Sequence, residues 1–150
     1  MPLDVQALLN VSAPKDSQFY IVIPCDPIAW KRAGVNFKAK SFYDKQCKEK
    51  VMVSSLVKQV IKAPIDGPVA VTFKFNMPIP KSYPDKLRKG MVEQWHIKKP
   101  DLDNLEKFLL DAMNETAYHD DCQVCMVLKE KVYSLEPRIE IFINALALTH

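Results

Sequence analysis

The residues best equipped for chemistry lie in one run, Lys99-Pro100-Asp101-Leu102-Asp103-Asn104-Leu105-Glu106-Lys107, continuing to Asp111 and then to Tyr118-His119-Asp120-Asp121. On a helix, residues four apart stand one above another, so Asp103, Lys107 and Asp111 make a polar stripe while Leu105 and Leu109 turn to the core. Asp101 precedes the helix and can bend toward the same side. Asp120 and Asp121 arrive a short turn later, at the start of the next strand, where they can converge with the others. Carboxylates gathered around a single lysine repel one another unless a counter-charge compensates. Mg²⁺ or Mn²⁺ supplies that charge, because both prefer hard oxygen ligands. Each residue also has a plainer reading. Asp103 with Glu106 fits a capping box, Lys107 four residues after Asp103 fits a surface ion pair, and Asp120-Asp121 fits a turn. The whole set at this spacing points past those readings to a metal-dependent site. A calcium loop is excluded: counted from Asp101, the fifth position is Leu105, the sixth is Glu106 rather than Gly, and the twelfth is Ala112.

Charge is distributed to match. The chain has 150 residues, 48% apolar and 26% charged, enough for one core and one domain, which excludes fibrous, collagen-like and wholly disordered classes. Its net charge of +3 is too mild to identify a polyanion binder. Residues 24–50, however, hold seven basic and three acidic residues, and residues 78–100 hold six and two, while the remainder holds eight and thirteen. A compact acidic cluster is therefore bordered by basic chain, an arrangement suited to a metal beside a surface that grips phosphates. The candidate DNA contacts are Lys31, Arg32, Lys38 and Lys40 in the first basic segment, and Lys81, Lys86, Arg88, Lys89, Lys98 and Lys99 in the second. Trp30, Phe37, Tyr83 and Trp95 in the same segments either stack on an unpaired base or pack on their own loops.

No apolar stretch approaches the roughly 20 residues of a membrane span, and MPLDVQALLN lacks a basic region before its apolar part. The expectation is a soluble, cytoplasmic protein with no membrane partner, its Cys25, Cys47, Cys122 and Cys125 reduced. Cys122-x-x-Cys125 lacks two further zinc ligands at matching spacing, so small buried thiols are expected there.

Periodicity and punctuation set out the elements that carry these residues. Residues 1–17 have two Pro and no sustained period and read as an N-terminal extension to a domain over 18–150. Phe19 to Ile23 reads as a strand, Pro24 to about Phe42 as a loop, and Tyr43 to about Ile61 as an amphipathic helix. Val69, Val71, Phe73, Phe75 and Met77 alternate with smaller or polar residues, giving a strand with one buried face. Pro78 to Pro100 reads as a long surface loop, the kind that is functional or disordered. Leu102, Leu105, Phe108, Leu109, Ala112 and Met113 give a second helix from about Asp103 to Asn114. Val124 to Tyr133 and Arg138 to Leu146 then read as a hairpin around Ser134-Leu135-Glu136-Pro137, with Ile139, Ile141 and Ile143 inward. The result is a single α+β domain, a small mixed sheet of about four strands with two main helices.

Residues 98–124 resemble the RusA-type Holliday junction resolvases, endodeoxyribonucleases of bacteria and their phages. The resemblance rests on Lys-Pro-Asp-Leu-Asp-Asn-Leu-Glu-Lys at 99–107, on Asp111-Ala112-Met113-Asn114, and on Tyr118-His119-Asp120-Asp121-Cys122-Gln123-Val124. It implies that Asp101, Asp103 and Asp121 bind Mg²⁺ (or Mn²⁺) and are catalytic, that Lys107 is catalytic too, and that Asp111 and Asp120 support the site. It also implies a homodimer that cuts two strands of a four-way junction or other branched DNA. Where many relatives carry Gly after the Asn that ends the motif helix, this chain has Glu115. Two rivals stand beside this reading. One is a non-catalytic module of the same fold that binds branched or single-stranded DNA. The other is a metal-dependent enzyme acting on a nucleotide or small phosphoester.

Overall fold

The computed structural model describes residues 18–147, so the expected N-terminal extension over 1–17 lies outside the described residues. Alternation along Val69–Pro78 makes β4 the sheet's centre: Val69, Val71, Phe73, Phe75 and Met77 are all buried on one face. On one side β4 pairs antiparallel with β6 (Arg138–Ala145), which pairs antiparallel in turn with β1 (Phe19–Ile23). On its other side β4 pairs in parallel with β5 (Val124–Ser134). The sheet is thus mixed and four-stranded, in the order β1-β6-β4-β5.

This order corrects one expectation. β5 and β6 are not a hairpin, because β4 lies between them. A parallel strand cannot follow its neighbour through a tight turn, so β5 comes to β4 by a long crossover, and β6 then takes β4's free antiparallel edge. The short link Leu135–Pro137 steps over the end of β4, near Pro78.

Two main helices cover a single face of the sheet. α1 (Cys47–Val60) buries Val53 and Val57, and α3 (Leu102–Ala112) buries Leu105, Phe108, Leu109 and Ala112. Together with Ile21, Ile23, Ile139, Ile141 and Ile143 these side chains form one core. Two segments expected to be loops carry small elements. The 24–42 stretch contains the hairpin β2 (Gly34–Asn36) and β3 (Ser41–Tyr43), and the 78–100 stretch contains a short helix, α2 (Asp85–Met91). α2 buries no residue, so it leaves no apolar period in the sequence.

Among the described residues the opposite face of the sheet carries no helix. Tyr20 stacks on Phe142 there at 4.9 Å between ring centroids, and Tyr20 Oη donates to Glu140 at 2.8 Å while Asn76 Nδ2 donates to the same carboxylate at 3.0 Å. Val22, Met126 and Leu128 on this face are exposed. No helix among the described residues is long and apolar enough to cross a membrane.

The turn after α3 holds Glu115 at φ 65°, the left-handed region that a side chain pays to enter. Glu115 is exposed, and among the described residues its side chain makes no hydrogen bond that Gly would lose. Glu115→Gly is therefore expected to raise unfolding free energy by about 1 kcal/mol, read as a higher urea midpoint at unchanged slope.

Candidate functional site

The burial of Leu105 and Leu109 turns the opposite stripe of α3 outward, carrying Asp103, Lys107 and Asp111 with it. The helix begins one residue earlier than expected. Asp101 is its N-cap in extended conformation, its carbonyl accepting from Leu105 N–H at 3.2 Å, but its carboxylate caps nothing. Asp103 sits in the first turn, and one of its oxygens accepts from the adjacent Asn104 N–H at 3.0 Å. The capping box is not made, because Glu106 turns instead to an ion pair with Lys129 of β5. Asp101 and Asp103 are exposed, and among the described residues neither joins an ion pair. The helix N-terminus favours their negative charge. Lys131 fixes the approach to them, donating from Nζ to the Pro100 carbonyl at 2.8 Å and to the Lys98 carbonyl.

Lys107 points to an unexpected partner. Its ammonium lies 3.9 Å from the centre of the Trp30 ring, a cation–π contact worth about 0.5–1 kcal/mol on an exposed surface. Trp30 is itself held on both sides. Its N–H donates to the Asn104 carbonyl at 3.0 Å, while Gln46, only 2% exposed at the start of α1, accepts from Lys31 N–H and donates to the Ala29 carbonyl, both at 2.8 Å. Packing against its own protein is thus how Trp30 is used. The period of α3 foretells the direction of Lys107, but nothing local foretells Trp30 or Gln46, which reach it from 77 and 61 residues away in the chain.

The remaining acids stand at the far end of α3. Asp103 and Asp111 are separated by two helical turns, about 12 Å of rise. Asp111, Asp120 and Asp121 are close enough that burial, then the hydrogen bond to Asp120 and the charges of Asp120 and Asp111, hold the Asp121 carboxyl above its usual range. Asp120 is held low by hydrogen bonds with the Cys122 thiol and with Asp121. The same acids add to burial in pushing up the Tyr118 phenol, whose hydroxyl donates to the Leu110 carbonyl at 2.7 Å. Gln123 clamps this turn. Its Oε1 accepts from His119 N–H at 2.8 Å and Asp120 N–H at 3.0 Å, and its Nε2 donates to the carbonyls of Ile65 at 2.8 Å and Gly67 at 2.9 Å. His119 Nε2 also contacts Asp66 at 2.7 Å, tying the same two turns together.

The acids therefore form two groups along one helix, Asp101 with Asp103 and Asp111 with Asp120 and Asp121. Among the described residues no three His, Cys, Asp or Glu side chains close on a single metal-sized point. In donor chemistry the set fits Mg²⁺ or Mn²⁺: every member offers hard oxygen, the carboxylates of the first pair join no ion pair among the described residues, and the second group carries repulsion that a cation relieves.

Basic residues border the first group. Lys98 and Lys99 are exposed just before Asp101, and Lys31 and Arg32 are exposed just after Trp30. Lys38 and Lys40 lie exposed at the tip of the β2–β3 hairpin, and Lys81, Lys86 and Lys89 are exposed before and along α2. Arg88 is half-buried, lining a cleft with Lys81, Ile79 and Ser134. One expectation is corrected here: Cys122 and Cys125 are exposed thiols, not buried ones, because the short 3₁₀ turn at Asp121–Gln123 and the first residues of β5 lie at the sheet's edge.

A family model described as endodeoxyribonuclease RusA matches residues 24–144. The uncharacterized protein YqaN of Bacillus subtilis (strain 168) is 40% identical over 84 residues, covering 53% of this chain and 59% of that protein. The chain thus spans about three-fifths of the length of the curated relative it matches.

Removing the Gln123 clamp tests how the second acidic group is held. Gln123→Ala is expected to lower unfolding free energy by about 1–3 kcal/mol, since four backbone groups lose partners. Urea unfolding reads the loss, and faster amide exchange confined to His119 and Asp120 locates it.

Proposed function

The chain belongs to the endodeoxyribonuclease RusA family, and from that premise we propose that it is a structure-selective, Mg²⁺-dependent endodeoxyribonuclease that resolves four-way junctions and other branched DNA by paired cleavage. The observation that carries the reading is the Asp101–Asp103 pair, exposed at the start of α3 with side chains that make no helix cap and, among the described residues, no ion pair, in a chain matched by the family over 24–144. Asp101 and Asp103 would hold the metal at the start of α3, and Asp121, the third ligand that the family resemblance implies, would join them only if the second acidic group, where Asp111 and Asp120 support it, draws toward the first. When bound, the ion polarises a phosphate and lowers the pKa of water beside it.

The chain's own groups do the rest. Lys107, kept on the outer stripe of α3 by the Trp30 ring, offers a fixed positive charge to the oxygens on which charge develops at phosphorus. Lys98 and Lys99 hold the backbone next to Asp101, and the basic residues of the hairpin and of α2 extend that grip along the arms. Such contacts give affinity and carry little sequence information, so selectivity for branched DNA comes from shape. Paired cleavage requires two active sites, hence a homodimer, and the sheet face that no described helix covers, with Tyr20, Val22, Met126 and Leu128 exposed, offers apolar area for a second copy.

Cleavage of a labelled four-way junction and a matched linear duplex with Mg²⁺ tests the reading. Wild type is expected to place symmetric nicks in the junction, and Asp103→Asn to lose about 100-fold or more of the rate while binding the junction undiminished. Binding should weaken steeply as salt is raised, as phosphate contacts require. Junction binding without cutting under Mg²⁺ or Mn²⁺ sinks the nuclease reading and favours a non-catalytic binding module of the same fold.

A further inference from the structure

After α2 the chain lies along the outer edge of β5 as a short extra strand. Glu93 N–H donates to the Tyr133 carbonyl at 2.9 Å, Tyr133 N–H donates to the Gln94 carbonyl at 3.0 Å, and His96 N–H donates to the Lys131 carbonyl at 3.1 Å. Both ends are tied further. Glu93 pairs with Lys74 at 3.0 Å, and Lys131 holds the carbonyls of Lys98 and Pro100. Extended backbone sends alternate side chains to opposite sides. The His96 ring packs on Tyr133 with centroids 4.7 Å apart, whereas Trp95 and Ile97 face outward, 68% and 89% exposed.

Two large apolar side chains left in water on so well-anchored a segment are not used to pack against the described residues. Their neighbours identify what they meet. Lys98 and Lys99 follow directly, Lys86 and Lys89 precede them on α2, and Asp101 lies four residues beyond Ile97. Apolar side chains set among cations match a polyanion that also offers flat apolar faces, which is nucleic acid with its bases unstacked.

We propose that Trp95 and Ile97 form a rigid wedge that stacks against the opened base step where the arms of a branched DNA part, placing the adjoining backbone beside Asp101. The proposal rests on the reading of the chain as a branched-DNA endonuclease. Opening a step costs least where pairing is already interrupted, so the wedge selects a branch point over continuous duplex and does so with little regard to sequence.

The test uses the full chain, without divalent metal for binding, on a four-way junction with 2-aminopurine at the branch point and on a matched duplex. Wild type should raise 2-aminopurine emission on the junction and quench its own exposed Trp95 signal. Trp95→Ala with Ile97→Ala should lose the 2-aminopurine response and weaken junction binding by about tenfold. It should leave duplex binding and the salt slope unchanged, and Trp95→Phe should keep most of the response. Unaltered junction affinity and 2-aminopurine response in the double variant overturn the wedge, even if wild type cuts junctions. Trp95 already shielded from acrylamide in the free protein, increasingly so with concentration, also overturns it and assigns the face to contact between copies. If wild type binds with the full 2-aminopurine response but never cuts with Mg²⁺ or Mn²⁺, the nuclease reading fails and the wedge stands. If wild type shows no preference for the junction, both fail.

Discussion

Burying Leu105, Phe108, Leu109 and Ala112 against the sheet fixes the rotation of α3, and the outward acids take their direction from that one packing contact. A quarter-turn of the helix would carry Asp103 and Lys107 toward the core, where an unpaired charge is costly. The surrounding contacts refine this placement. Glu106 reaches Lys129 of β5 on one flank, and Trp30 covers Lys107 on the other. Lys131 sets the chain just ahead of Asp101. All three of these contacts involve a lysine, so positive charge beside the acidic helix is engaged in holding it.

The two ends of α3 give their acids opposite environments. At the start, Asp101 and Asp103 lie in solvent beside the helix N-terminus. At the end, the helix dipole opposes negative charge, and burial with mutual repulsion raises Asp121 while Asp120 is lowered by its thiol and carboxyl partners. One end leaves its acids open to solvent, and the other crowds them together.

Elements that bury a periodic face were legible in the sequence. The alternation of β4 and the three-and-four spacing of α1 and α3 reflect contacts with one core, so residue type alone gave them away. α2 was hidden because it buries nothing, and the β2–β3 hairpin because its strands are three residues each. The sheet order was hidden for another reason. Whether β5 and β6 pair depends on what β4 offers each of them, and no local pattern in either strand records it. At the site, acid spacing was legible because a helix converts sequence intervals into faces. The Gln123 clamp and the Gln46–Trp30–Lys107 relay join residues far apart in the chain and were beyond periodicity. Family membership was legible from the acidic block and its flanks, and the match over 24–144 extends it to most of the chain.

The parallel pairing of β4 with β5 is reached by a crossover over residues 79–123, which carries the acidic helix. β1, β6 and β4 form a three-stranded antiparallel remainder that does not need β5 for its ladder. Because β5 lies at the outside of the four-stranded ladder, peeling it from β4 releases the 93–97 segment while that remainder keeps its hydrogen bonds. α3 does not leave with it, because Leu105, Phe108 and Leu109 share one core with β1, β6 and α1, and the Asn104 carbonyl accepts from the Trp30 backbone N–H. Sub-global opening of this kind takes less free energy than complete unfolding. The molecule can thus loosen the edge that flanks Asp101 while the acidic helix keeps its direction.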